Sequence, residues 1–106
     1  MPVADSLDLA GPEVAAFCRR WKVYELAVFG SALREDFGPD SDVDVLVTFG
    51  SDANWGLLEQ TTMESELAAL LGRKVDLVSR RAVERSTNWI RRQAILGSAE
   101  IVHVAR

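Results

Sequence analysis

FGSALREDFGPDSDVDVLVTF, residues 29–49, decides how this 106-residue chain folds. The stretch begins on the last residue of an apolar run, residues 26–29, and passes at once into Gly30-Ser31. Ten residues later it reaches Asp42-Val43-Asp44, the head of a second apolar run that ends at Phe49. Successive side chains of a strand point to opposite faces, so Val43, Val45, Val47 and Phe49 form one wholly apolar face that must be buried. Asp42 and Asp44 share the other face. Two carboxylates held that close repel unless a cation lies between them. A hard divalent ion with oxygen ligands fits, Mg²⁺ first.

Upstream, Gly11-Pro12-Glu13 is a helix start, with proline at the first position and an acid in the first turn. Val14, Phe17, Cys18 and Trp21 then recur at helical spacing, which places Cys18 in a buried stripe as a small hydrophobe rather than a nucleophile. Residues 24–29 read as the first strand and residues 31–36 as a short helix. The turn signal of residues 37–41 stops that helix. Downstream, residues 56–71 read as the longest helix, with Met63, Leu67, Leu70 and Leu71 as its apolar stripe and Gly72 as its stop. Residues 74–78 read as a third strand and residues 80–85 as a helical turn. Ser86-Thr87-Asn88 caps a helix running through Trp89, Ile90, Ala94 and Ile95 to Gly97, and residues 101–104 close as an edge strand. Alternating helices and strands with short links predict an α/β (α+β) domain with a small mixed sheet flanked by helices.

Size and composition narrow the function. A chain of this length holds one domain, expected over residues 1–106 with 1–10 as a flexible N-terminus. Of its residues 48% are apolar, enough for a single core. The lone Cys18 excludes an internal disulfide and suits a reducing cytoplasm. No signal-peptide pattern and no membrane-length apolar run are found. The net charge of −4 argues against binding duplex DNA. That charge is uneven: residues 35–44 hold five acids and no base, whereas residues 80–92 hold five arginines against Glu84. Such polarity suits a partner or an anionic ligand, although solvated helix faces explain the arginines equally well. The lone His103 carries no assigned role.

Strand, Gly-Ser, then helix is suited to phosphate, because Gly30 lets a ligand approach the backbone and amides at the helix start point at the anion. The Ser31 hydroxyl adds a donor. Asp76 interrupts the apolar strand 74–78 where Val or Thr is the usual occupant. If this strand pairs beside the one bearing Asp42 and Asp44, three carboxylates share one edge and form the oxygen cage of a two-metal site. One ion activates an attacking hydroxyl, the other holds a triphosphate and its leaving pyrophosphate, and Asp76 serves as general base. Glu35 and Asp40 read as solvated loop acids.

The motif Gly30-Ser31, Asp42-x-Asp44 and then an acid in an apolar strand resembles the nucleotidyltransferases of the DNA polymerase β superfamily, and more closely their minimal (MNT) branch. Residues 29–47 are similar to that branch almost throughout, including Arg34 and Ser41, and residues 88–97 resemble its final helix. The likeness extends over residues 12–104. It implies a polymerase β-like fold and transfer of a nucleotidyl group from a Mg²⁺-bound triphosphate, with two ions, to an acceptor hydroxyl. Asp42, Asp44 and Asp76 then hold metal, and Gly30 and Ser31 meet the triphosphate. Arg34 either contacts phosphate or pairs with the nearby acids. Glu35 departs from the glycine that many relatives carry after the arginine, which affects how closely that loop approaches the ligand.

Minimal members are commonly paired with a HEPN-domain toxin. The resemblance therefore implies ATP as donor, a tyrosine of the HEPN partner as acceptor, an antitoxin role and a hetero- or homo-oligomer. Arg85, Arg91 and Arg92, with Trp55 or Trp89, are the candidate docking surface; core packing is the other reading of either tryptophan. Two alternatives stay open: a non-catalytic module that neutralises its partner by contact, and a transferase acting on a small hydroxylated molecule.

Overall fold

Val43–Phe49 is strand β2, and its alternation does what the sequence predicts: Val43, Val45 and Val47 are buried. The computed structural model describes residues 11–30 and 42–104. The expected flexible start, the short helix over 31–36 and the turn over 37–41 lie outside the described residues, as do Ser31 and Arg34. The remaining elements run in chain order as helix α1 (Pro12–Arg20), strand β1 (Val23–Phe29), then β2, helix α2 (Leu57–Leu71), strand β3 (Val75–Ser79), helix α3 (Arg80–Glu84), helix α4 (Trp89–Ser98) and strand β4 (Glu100–Val104).

The strands form a mixed four-stranded sheet in the order β3-β2-β1-β4. β1 is antiparallel to both β2 and β4, while β2 and β3 run parallel. A parallel pair needs a long crossover, and α2 supplies it. Glycines bound that helix. Gly56 N–H donates to Glu59 Oε1 at 2.8 Å before its first turn, and Gly72 ends it in the left-handed region at φ 66°.

Apolar side chains gather on both sides of the sheet. The larger core joins Val14, Phe17, Cys18 and Trp21 of the α1 region to Leu26, Val28, Val43, Val45, Val47, Val75 and Leu77 of the strands, with Met63 and Leu67 of α2 above them. The smaller core joins Ala27, Phe29 and Leu46 to Val83 of α3 and Ile95 of α4. The face of β2 that carries the acids is thus itself partly a core face, because Leu46 lies between Asp44 and the strand's end and is covered by α3 and α4.

Two helices bury fewer apolar residues than their sequences offer. In α2, Met63 and Leu67 are buried and Leu71 packs against the same core, but Leu70 is exposed on the flank of the row. In α4 only Ile95 is buried, and Trp89 (58% exposed) and Ile90 (64% exposed) face outward. The smaller core beneath α4 takes Ile95, with Leu96 packed against it.

Polar contacts tie the helices to the sheet. Glu66 of α2 accepts from Trp21 Nε1 at 3.1 Å and from Arg20 at 3.3 Å, which holds α1 beside α2. Glu64 accepts from the Leu77 amide at 2.8 Å. β3 is an outer strand, so half of its amides point away from β2, and the Glu64 carboxylate satisfies one of them. Among the described residues no helix is long and apolar enough to cross a membrane.

Replacing Leu67 with Ala removes a fully buried side chain beneath the sheet and is expected to cost about 2–5 kcal/mol, read from urea unfolding. Burial pushes the Cys18 thiol from its ordinary 9.0 up to about 11, and the neighbouring Arg19 pulls it slightly back. A folded-state value above the unfolded one means that this stabilisation is complete below pH 9 and is lost as pH rises through about 11. Stability measured across that window should fall, and Cys18→Ala should remove the fall.

Candidate active site

Three strand ends meet at one edge of the sheet. β1 is antiparallel to β2, so the C-terminal end of β1 lies beside the N-terminal end of β2, and Phe29 is the register partner of Asp44. β3 is parallel to β2, so its own N-terminal half lies at the same edge, with Asp76 directly beside Asp44. Gly30, Asp44 and Asp76 therefore form a row across β1, β2 and β3. Asp42 stands immediately ahead of β2, two positions before Asp44.

All three acids fall on one face. Val43, Val45, Val75 and Leu77 turn into the larger core, and alternation places Asp42, Asp44 and Asp76 on the opposite side, the side of Leu46 and α4. Asp42 and Asp76 are exposed and Asp44 is half-buried. Adjacent strands are about 4.8 Å apart, so Asp44 and Asp76 are neighbours across the ladder even though far apart in the chain.

Gly30 belongs to the same construction. Its φ is +64°, a region that residues with a Cβ rarely enter, and a Cβ placed there would lie 2.5 Å from Asp44 Oδ2. The Asp44 carboxylate thus occupies the space that a side chain at position 30 would fill.

The closed oxygen cage expected of these three acids is not found: among the described residues no three His, Cys, Asp or Glu side chains gather closely enough to cage a metal. The three acids share an edge and a face but do not close into a cage, because Asp42 precedes the strand and Asp76 stands on a neighbouring one. An open edge of carboxylates suits Mg²⁺, which keeps several waters and takes substrate phosphate oxygens as ligands in preference to an all-protein shell.

The other candidates separate. Trp55 is structural: its indole N–H donates to the Trp21 carbonyl at 2.8 Å, and the two rings meet edge to face at 5.3 Å. Trp89 is exposed. Of the arginines, Arg92 Nη1 donates to the Ser86 carbonyl at 2.9 Å, and Arg80 pairs with Glu84 at 3.2 Å and Glu25 at 3.6 Å. Arg85 and Arg91 remain exposed. A 420 Å³ pocket lined in part by Thr48, Trp55, Gln60, Arg80 and Arg81 lies at the far end of β2 from the carboxylates. Glu64, which fixes β3 through the Leu77 amide, was not singled out by its sequence context; an acid on an α2 turn carries no signal there that it reaches a strand.

Comparison with known proteins gives the family and the fold. The family model described as "Nucleotidyltransferase domain" matches residues 14–102. The protein adenylyltransferase MntA of Thermococcus cleftensis is 43% identical over 65 residues, which is 61% of this chain and 64% of that protein. The matched part thus spans less than two thirds of that relative. Among solved structures, one assigned to the minimal nucleotidyltransferases is 32% identical, with a TM-score of 0.55 over 86% of this chain and 85% of the other. The complex of tri-AMPylated Shewanella oneidensis HEPN toxin with MNT antitoxin gives a TM-score of 0.59 at 19% identity, over 88% of this chain and 68% of that one, and shares the fold. With the model match covering most of its length and the carboxylate row at the sheet's edge, this chain belongs to the nucleotidyltransferase domain family.

Proposed function

We propose that this chain transfers AMP from ATP to an acceptor hydroxyl, a tyrosine of a HEPN-domain toxin, and so acts as the antitoxin of that partner in the cytoplasm. The observation that carries the reading is the row of Gly30, Asp44 and Asp76 at one sheet edge, with Asp42 just ahead of it, in a nucleotidyltransferase domain. The name of the Thermococcus relative, a protein adenylyltransferase, and the AMPylated toxin in the Shewanella complex support the donor and the acceptor.

Each residue has a defined task. Asp42, Asp44 and Asp76 would hold Mg²⁺, which when bound would supply acidification of the acceptor hydroxyl and charge neutralisation at the pyrophosphate. Asp76 is exposed at the outer end of the row and takes the hydroxyl proton as general base. The hydroxyl oxygen bonds to the α-phosphorus as the bond from that phosphorus to the bridging oxygen breaks, and pyrophosphate leaves. Gly30 keeps the backbone open to the triphosphate, with Ser31 as donor and Arg34 as a further phosphate contact. Trp89 and Ile90, exposed between Arg85 and Arg91, form the surface for the toxin.

Incubation with α-labelled ATP, Mg²⁺ and the HEPN-domain partner should place label on the partner. Asp44→Asn should slow that transfer more than about 100-fold, beyond the range for loss of an outer-shell partner at a metal site. Neutralisation of the toxin that survives Asp44→Asn unchanged would instead favour a contact-only antitoxin. Gly30→Ala tests the turn. A left-handed residue with a Cβ costs about 1–2 kcal/mol, and the added methyl must displace the Asp44 carboxylate. Urea unfolding should therefore show a modest loss while label transfer falls far more steeply.

A further inference from the structure

The sheet register brings a basic residue to the carboxylate edge. Val43 pairs with Val75 and Asp44 with Asp76, and Lys74 and Asp42 are the residues just ahead of those two strands. The Val43 amide donates to the Lys74 carbonyl at 2.9 Å, the bond that the parallel Val43–Val75 pair makes, so the Lys74 backbone lies beside the head of β2. Val75 and Leu77 point into the larger core, and the alternation that puts Asp76 on the opposite face puts Lys74 there as well.

The surroundings of Lys74 differ from those of Arg20, Lys22 and Arg80. Arg20 pairs with Glu66, Lys22 with Asp52, and Arg80 with both Glu25 and Glu84. Lys74 is exposed, and among the described residues no carboxylate forms an ion pair with it. The fold thus holds an ammonium at the acidic edge by its backbone rather than by a salt bridge. A triphosphate brought to that edge carries more negative charge than one ion removes, and its outer phosphates gain charge as pyrophosphate departs. A lysine ammonium is a compact point charge suited to that position, and its four-carbon stem can span the roughly 4.8 Å between neighbouring strands.

We propose that Lys74 contacts the outer phosphates of the donor triphosphate and stabilises the leaving pyrophosphate. This rests on the reading of the carboxylate edge as the site of a nucleoside triphosphate. The competing role is a purely structural pairing with Asp42, and it predicts no dependence on the number of phosphates.

The experiment compares the full chain with Lys74→Gln and Lys74→Arg, each checked for folding by thermal melting. Affinities for ATP, pyrophosphate and AMP are measured by calorimetry with Mg²⁺ present. Lys74→Gln is expected to weaken ATP and pyrophosphate about 10- to 100-fold, the range for a contact to a charged group, and to leave AMP unchanged. Lys74→Arg should recover most of the loss. Equal weakening of AMP and ATP, or none of either, overturns the role given to Lys74 while leaving the donor site standing. If the unsubstituted chain binds neither ATP nor pyrophosphate, the donor reading fails and Lys74 loses its role with it.

Discussion

The parallel pairing of β2 with β3 is the constraint on which the site depends. It sets Asp76 beside Asp44, although the whole of α2 separates them in the chain. Two carboxylates about 5 Å apart repel by roughly 1–3 kcal/mol, depending on how much water lies around them. The pairing must be held against that repulsion by something stronger. On the reverse side of the same two strands, Val43, Val45, Val75 and Leu77 are all buried against α2, and each buried aliphatic side chain contributes about 1.5–3 kcal/mol. Four such side chains outweigh one repulsion. The Glu64 carboxylate adds a hydrogen bond to the outer side of β3 at Leu77, one residue from Asp76. The acids are neighbours because of what lies behind them.

That division of labour between faces explains which parts of the fold could be read from the chain. Strand β2 is legible because Val43, Val45 and Val47 alternate with polar or acidic positions at its head, and a period of two has one structural meaning. Helix α2 is legible because Gly56 and Gly72 bound it. The acid row was legible as a conditional: if the strand bearing Asp76 lies beside β2, the acids meet. What the chain could not supply was the register. Pairing between β2 and β3 is decided by how α2 packs across them, which no local pattern encodes. For the same reason, neither the reach of Glu64 to Leu77 nor the position of Lys74 could be found by spacing.

The exposed apolar residues mark a second limit. Trp89, Ile90, Ala94 and Ile95 are all apolar positions of α4, yet only Ile95 is buried. Helical periodicity reports which residues share a face but not how much core waits beneath it. Beneath α4 there is only the small cluster around Ala27, Phe29, Leu46 and Val83. Trp55 shows the opposite outcome. It stands in a polar loop with no periodic partner, and still packs against Trp21 and spends its N–H on the Trp21 carbonyl. An indole with one donor is readily satisfied by a backbone carbonyl next to an aromatic neighbour. Core packing, one of the two readings of Trp55 in the sequence, is the one the structure bears out.

Gly30 joins the fold to its chemistry most directly. The sequence suggests that a glycine after a strand leaves the backbone open to an anion. The structure supplies a nearer reason, since the space beside the Gly30 Cα is taken by an oxygen of Asp44. The two reasons do not compete. A carboxylate that leans over a bare backbone is held close to the end of β1. Any side chain at position 30 would separate the acid from that end by at least the width of a methyl group. The absence of a Cβ therefore sets how closely the Asp44 carboxylate stands to the end of β1.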